Sequence, residues 1–570
     1  MDLALTAVVA LVTIVAVSAF SSRLGVAAPL VLVVVGVAYS FIPGVPSIDI
    51  PPEWILAGVL PPLLYSAAVN VPLVDFRRNL KAITGLSVLL VVVTALGVGL
   101  LLFWLLPDLN LAAAIALGAV ISPTDAVAAT SIGKKLGLPP RLVTVLEGEG
   151  LVNDASALVL LRSAIAATAG AVSLWGVVGD FFYAVAVALV VGLVIGLVTV
   201  FVRSKLKDSV LTTAISFAVP FIAYLPAEEL NASGVLAVVV AGLVTGHQSA
   251  RYFSAQDRIS ERLNWRTLQF VLENGVFLLM GAELSTLIAS VDDNVLSVER
   301  TLVLALLVTV VLIVLRFLFV VPLIALLRRE GRRAARESGR FEAARRRFDA
   351  MPDDAIEPHR RNRAALFFTR RAADLDFLQS EGLGWRGGAV LAWSGMRGVV
   401  TLAAAQSLPA DTPYRPQLIL LAFFIAVITL LLQGGTLPAV IRLLGVRGTD
   451  EQADRQEYAS LIQDMSSVGV EALKNPDLKR ADGGDYEPEV VDRVRGDSES
   501  RSAAASEVMD ASSDVGPHEQ YRELRRIVLD AERAALLDAR SAGSYSSRTL
   551  ARAQQLLDIE ESRFDQATHD

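Results

Sequence analysis

Runs of about 17 to 25 apolar residues recur along this 570-residue chain, each long enough to cross the hydrocarbon layer of a membrane as an α-helix. A bilayer offers no water to backbone N–H and C=O groups, so such a run must satisfy them within itself and is committed to helix. Thirteen runs are found, at about 3–20, 25–42, 54–70, 83–106, 111–132, 141–170, 173–202, 209–226, 231–247, 266–290, 300–327, 384–408 and 416–443. A charged fraction of only 19% and a mean hydropathy of +0.54 leave no room for an ordinary soluble domain of this size. The expectation is an all-α, polytopic membrane protein. Cysteine is absent, which excludes disulfides, thiolate metal sites and cysteine nucleophiles. The opening "MDLALTAVVALVTIVAVSAF" has no basic n-region and reads as a first span rather than a cleaved signal.

Basic residues mark the cytoplasmic side of a membrane protein, and here they alternate from loop to loop. They follow span one (Arg23), three (Arg77, Arg78, Lys81), five (Lys134, Lys135, Arg141), seven (Arg203, Lys205, Lys207), nine (Arg251, Arg258, Arg262), eleven (Arg328, Arg329, Arg332, Arg333) and thirteen (Arg442, Arg447). The loops between are acidic or neutral. An odd number of spans with this alternation places the N-terminus outside and the C-terminus in the cytoplasm. Two polar pieces remain outside the spans. One is an arginine-rich cytoplasmic loop at about 328–383, within a transmembrane domain of residues 1–445. The other is a cytoplasmic tail, 446–570, with a charged, partly helical start, a Gly/Asp/Ser-rich middle and two helical stretches near Glu519–Arg540 and Ser546–Phe564. Leu524, Ile527, Val528, Ala531 and Leu536 give the first stretch an apolar stripe. The stripe fits a helical hairpin or dimer contact, or a regulatory element that binds a ligand or partner. The net charge of −7 lies mostly in the loops and tail, and no basic, aromatic surface points to nucleic acid.

Ionisable groups at mid-bilayer cost roughly 2.5–3.5 kcal/mol on insertion scales, so each needs a reason. Asp125, Glu149, Asp154, Glu273, Arg316 and Arg397 are such groups, whereas Arg162 and Glu283 lie near span ends and can snorkel. In "GEGLVNDASALVLLR", Glu149, Asn153 and Ser156 share one helical stripe beside Asp154, while Gly150 removes a side chain one turn before the aspartate. A polar helix interface explains Asn153 and Ser156 but not a carboxylate.

Two spans carry interruptions. Pro123 in "GAVISPTDAVAAT" takes away a backbone donor and should break span five near Ser122–Asp125; Gly395 and Gly398 flank Arg397 in "AWSGMRGVVTLAAA" of span twelve. Broken helices persist at membrane depth only where they line a cavity, and a pair of them in separate halves of a chain points to inverted repeats meeting at a binding site. Unpaired buried arginines would be costly. If Arg316 and Arg397 each take one of Glu149 and Glu273, Asp154 is left without a dedicated partner, as a group that alternately holds a proton and a cation must be.

These motifs together resemble the cation/proton antiporter-1 family, the Na+/H+ exchangers. "LPPLLYSAAVN" (60–70) is similar to the family's third-span signature, "SPTDAVA" to its Thr-Asp crossover, "GEGLVNDA" to its Glu-x-x-x-Asn-Asp motif and "GMRGVVTLA" to its Gly-x-Arg-Gly motif, and the similarity covers all thirteen spans. The resemblance implies that Asp154 binds the ion or proton, with Asn153 beside it and Thr124 and Asp125 at the unwound crossover. It also implies structural pairs of Glu149 with Arg316 and of Glu273 with Arg397. Two positions depart from the pattern: Ser66 stands where many members have Glu or Asp, and Gly150 where many have Ser. Ser66 stays a candidate ligand, but cation coordination then falls more heavily on Asp154, the Thr124 carbonyl and water, and the choice between Na+, Li+ and K+ is open, with Na+ first.

The expectation is therefore a homodimeric secondary antiporter of the cell membrane. Spans four to six and eleven to thirteen would form a core that moves against a dimerisation domain, with Asp154 carrying either one proton or one monovalent cation. Asn153, where electrogenic relatives have a second aspartate, implies electroneutral one-for-one exchange. The chain is not expected to be an enzyme or to need a cofactor, and it has no Gly-x-x-x-x-Gly-Lys-Ser/Thr motif. A transporter-derived sensor signalling through the tail, or a cation channel, are the alternatives.

Overall fold

The computed structural model describes residues 2–24, 27–43, 51–169, 174–291, 295–351, 357–380, 383–446, 448, 451–475, 478–480, 483–507, 517–542, 553–554 and 557. Among them there is no strand, and the chain divides into two units, Met1–Arg447 and Gly448–Asp570.

In the first unit the helices are, in chain order, α1 (Asp2–Leu24), α2 (Ala28–Ser40), α3 (Trp54–Asn70), α4 (Leu73–Arg78), α5 (Leu80–Leu105), α6 (Leu111–Ile121), α7 (Ala126–Lys135), α8 (Pro140–Ala169), α9 (Leu174–Arg203), α10 (Ser209–Glu229), α11 (Gly234–Tyr252), α12 (Ala255–Ala282), α13 (Leu284–Ala289), α14 (Val298–Asp349), α15 (Pro358–Ser380), α16 (Trp385–Trp393), α17 (Val399–Gln406) and α18 (Arg415–Leu444). Among the described residues nine helical segments are long and apolar enough to cross a membrane. The remaining expected spans fall on the shorter α2 and α3, on the 19-residue α11 with its polar end GHQSARY, and on the interrupted α16–α17 pair. α9 shows why a bilayer is needed. Leu193, Val194, Leu197, Val198 and Phe201 stand exposed along it, a face that water would not tolerate and lipid would.

The helices pack in two groups. In one, α3, α10 and α11 surround one another, with α9 against α11 and α12 against α2, α3 and α10. In the other, α5 packs on α6, α6 and α7 on α8, and α14 on α16 and α18. Small residues make the second group dense: Ala113, Ala114, Ala116 and Ala119 of α6 are buried and let neighbouring backbones approach closely. The site described below lies where the two groups face each other.

Most described residues of the arginine-rich segment between spans eleven and twelve are helical. α14 runs 52 residues, far beyond its apolar part, because Arg, Ala and Glu are strong helix formers and i,i+4 pairs such as Arg346–Glu342 and Arg345–Asp349 support it. α15 returns alongside it and clasps the linker between α3 and α5: Asp374 accepts from Arg78 Nε at 2.8 Å, and Phe377 lies under both the Arg78 and Arg141 guanidinium groups.

In the second unit α19 (Glu451–Ala472), α20 (Pro488–Glu507) and α21 (Pro517–Ala542) are described. α20 occupies sequence that composition marks as linker. Pro488 starts it at a favourable first-turn position, and it packs on α19, where Ser466 Oγ donates to the Ser498 carbonyl at 3.0 Å. α21 covers the first of the two expected terminal helices, and Tyr521, Leu524, Ile527 and Val528 are exposed along it. The second, Ser546–Phe564, lies almost wholly outside the described residues.

Candidate functional site

Both expected interruptions are present. The chain unwinds over 122–125 between α6 and α7 and over 394–398 between α16 and α17. The two breaks touch: Asp125 N–H donates to the Met396 carbonyl at 2.7 Å, and Arg397 Nε donates to the Ile121 carbonyl at 3.0 Å. Gly398 permits this approach, since a Cβ there would sit 2.5 Å from Asp125 Oδ2. Three of the half-helix ends meet a side chain of opposite charge. The carbonyl ends of α6 and α16 meet Arg397, which also donates to Gly395 O, and Arg316, which donates to Leu391 O at 3.0 and 3.2 Å. The amide end of α7 meets Asp125, whose Oδ1 accepts from Val127 N at 2.8 Å, so this aspartate is the N-cap of α7.

α8 runs past the crossing and presents its polar stripe to it. Glu149 and Arg316 are fully buried and joined by two parallel bonds of 2.6 and 2.9 Å. Thr124 Oγ1 donates to the same carboxylate at 2.7 Å. The pair tolerates burial because the fork geometry, the threonine and the Leu391 carbonyl occupy most of its remaining donors and acceptors. Asn153 Nδ2 donates to the Thr124 carbonyl at 2.9 Å and to Thr124 Oγ1 at 3.1 Å, which locks the unwound segment to α8 and leaves Asn153 Oδ1 buried with no hydrogen-bond partner among the described residues. Gly150 has the role of a spacer: its missing Cβ would meet the Ala126 Cβ at 2.5 Å, so it lets the start of α7 lie directly on α8.

A cavity of about 480 Å³ opens beside this crossing. Thr124, Asp125, Gly150 and Asp154 line it together with Gln269 and Glu273 of α12, Gly398–Thr401 and the apolar Leu60, Leu64 and Ala67 of α3. Its mouth carries Lys134 and Glu147, joined at 2.7 Å, with the lysine mostly exposed; Asn70, at the end of α3, also lines the cavity. Asp154 makes no hydrogen bond or ion pair with any described residue. Ser66 does not line the cavity. It is buried behind Gln269, donating to its Oε1 at 3.0 Å, and reaches the cavity only through that amide. Asn153 likewise lies behind Thr124 rather than on the cavity wall.

The expected Glu273–Arg397 pair is not formed, a correction with a clear cause. The Arg397 guanidinium is turned onto the carbonyl ends at the crossing, which attract it as a carboxylate would, while Glu273 points into the cavity with Gln269 Nε2 as its one described partner, at 3.5 Å. Sequence reasoning also missed a second buried ion pair: Arg203 and Glu261 bond at 2.9 and 2.7 Å, and Arg203 stacks over Phe253. Arg203 was legible only as a loop charge following span seven. Arg162, expected to snorkel, is bound to Glu228 and to the Ala232 carbonyl, at the end of α8 away from the cavity mouth.

The family model described as "Sodium/hydrogen exchanger, transmembrane" matches residues 7–443 of the chain. The chain belongs to the sodium/hydrogen exchanger family. As a member, it is a multi-pass membrane antiporter of the Na+/H+ exchange class, as the motif resemblance implied. A Mycobacterium tuberculosis protein described as an uncharacterized Na(+)/H(+) exchanger is 28% identical over 98% of this chain and 95% of its own length. A "Sodium, potassium, lithium and rubidium/H(+) antiporter" of Bacillus pumilus is 29% identical over 72% of this chain and 57% of its own. The sodium proton antiporter MjNhaP1 of Methanocaldococcus jannaschii, in its structure at pH 8, shares the fold with a TM-score of 0.56 at 17% identity, over 78% of this chain and all of that one.

Proposed function

We propose that this exchanger carries one monovalent cation against one proton, with Asp154 as the shared site. The observation that supports this most is the position of Asp154: it is a carboxylate on the wall of a cavity at the contact of two broken helices, with no dedicated partner, while Glu149 beside it is fully engaged by Arg316 and Thr124. A cation arriving there meets hard oxygen ligands: the Asp154 carboxylate, the free lone pair of the Thr124 carbonyl and water, with Asp125 and the unpartnered Asn153 Oδ1 close behind. Ser66 contributes no charge. Because the ligands are few and uncrowded, Na+ is the first substrate and Li+ and K+ are accepted as well, in keeping with the printed name of the Bacillus relative.

In this reading the chain has thirteen spans arranged as inverted repeats in a 1–445 membrane domain, lies in the cell membrane with the N-terminus outside, and works as a homodimer. The cavity mouth at Lys134 and Glu147 faces the cytoplasm, and the site reaches the opposite side when the group carrying Asp154 moves. Replacing the second acidic residue by Asn153 makes the exchange electroneutral. The tail, 446–570, is a regulatory or dimer-contact element.

The test is exchange by the purified full chain in proteoliposomes containing a pH-sensitive dye. Adding Na+ or Li+ should dissipate an imposed pH gradient at a rate that an imposed membrane potential does not change. Potential-driven cation flux without proton movement would make the protein a channel, and no cation-dependent proton movement at all would favour a sensor.

A further inference from the structure

We propose that Glu273 is a cation-contacting, specificity-determining residue, which shares the transported ion with Asp154 across the cavity instead of forming an architectural ion pair. The inference deepens the antiport reading and rests on it for the identity of the ion. It starts from the charges that face the cavity. Asp125, Asp154 and Glu273 line it, with Glu147 and Lys134 at the mouth. The one lysine is taken by Glu147 at 2.7 Å, and the two arginines near the crossing are turned to Glu149 and to backbone carbonyls. Asp125 is held by the amide end of α7. Asp125, Asp154 and Glu273 are therefore three carboxylates on one cavity with no basic partner among the described residues, of which Asp125 alone caps a helix, and a monovalent cation is what such an arrangement attracts.

Asp154 and Glu273 stand on different helix groups. Asp154 belongs to α8, which packs with α6 and α7; Glu273 belongs to α12, which packs with α2, α3 and α10. An ion that both carboxylates ligate would join the two groups, so movement of one group against the other changes its ligand set. Ser66 takes its part in this scheme. Its hydroxyl donates to Gln269 Oε1 at 3.0 Å, which turns Gln269 Nε2 toward Glu273 Oε2, at 3.5 Å. That contact is long enough to steer the carboxylate and too weak to satisfy it. Position 66 of the third span thus acts on the cavity indirectly, by orienting an amide that orients Glu273.

The experiment compares wild type, Glu273→Gln, Glu273→Asp and Ser66→Ala in two assays. In proteoliposomes, Glu273→Gln should raise the KM for Na+ about tenfold, the scale on which loss of one supporting group weakens a bound metal, with a far smaller fall in maximal rate. Glu273→Asp should recover part of the affinity, and Ser66→Ala should raise KM in the same direction by less. In detergent, Na+ should raise the unfolding temperature of wild type, and Glu273→Gln should need correspondingly more Na+ for the same rise. An unchanged KM and an unchanged Na+ titration would overturn the inference. So would a Glu273→Gln protein that unfolds at a much lower temperature without salt and is rescued by neutralising Arg397, because that is the signature of an architectural pair. If wild type binds Na+ through Glu273 in detergent but moves no protons in vesicles, the antiport reading fails and the cation site stands.

Discussion

Breaking the Glu149–Arg316 pair is the perturbation whose size the structure sets most tightly. Arg316→Met removes both bonds to the carboxylate, at 2.6 and 2.9 Å, and both bonds to the Leu391 carbonyl, leaving Glu149 buried with only Thr124 Oγ1 at 2.7 Å. Stranding one member of a buried pair costs about 3–5 kcal/mol. Glu149→Gln strands the arginine instead, but Arg316 keeps Leu391 and an amide oxygen, so its cost falls at the lower end of that range. The double variant buries no charge and loses only hydrogen bonds, each worth about 1 kcal/mol net. The coupling between the two positions is accordingly about 3 kcal/mol and favourable. Unfolding by increasing denaturing detergent in mixed micelles, followed by helical signal, measures all four corners of the cycle. The same cycle for Glu273 and Arg397, which do not touch, should be additive to within about 0.5 kcal/mol. Additivity at 149/316, or strong coupling at 273/397, would refute the reasoning.

Two further outcomes follow from the packing. Gly398→Ala places a methyl group 2.5 Å from Asp125 Oδ2, so the two broken helices must separate; cation-evoked proton flux in proteoliposomes should fall severely while yield in the membrane changes little, and full activity would show that the close approach is dispensable. Glu261→Gln leaves buried Arg203 with an amide oxygen in place of its charged partner and should lower stability by about 3 kcal/mol, part of which Arg203→Leu in the same chain should restore; a cycle by the same unfolding assay showing no coupling would make the pair incidental.

What could be read from sequence was what local chemistry dictates. Pro123 and the Gly395–Gly398 stretch announced two breaks, because a missing donor and missing side chains act on their own turn of helix. Glu149 and Arg316 could be matched because charges deep in apolar runs must find partners. The remainder depended on where side chains point after packing. Arg397 and Glu273 were both eligible for a pair, yet the carbonyl ends of α6 and α16 supply the negative potential that the arginine uses, and no residue type in the sequence encodes that. Arg203 and Glu261 are 58 positions apart, near helix ends where a basic residue is ordinarily a loop charge, so their burial was invisible. α20 was hidden by Gly, Asp and Ser composition, although its packing on α19 decides its conformation. Ser66 was legible as a lost carboxylate but not as the support of Gln269, since the contact spans 203 positions.

The central claim is that Asp154 is the group that alternately holds the proton and the cation, and Asp154→Asn tests it most directly. The asparagine fills the same volume in the cavity but cannot bind or release a proton, and no described residue hydrogen-bonds to the carboxylate. In proteoliposomes the variant should therefore show no Na+-, Li+- or K+-evoked proton movement across the pH range in which wild type is active, with its unfolding profile in detergent unchanged. Cation-evoked proton exchange that survives in folded Asp154→Asn protein would contradict the claim and place the exchange on another carboxylate of the cavity.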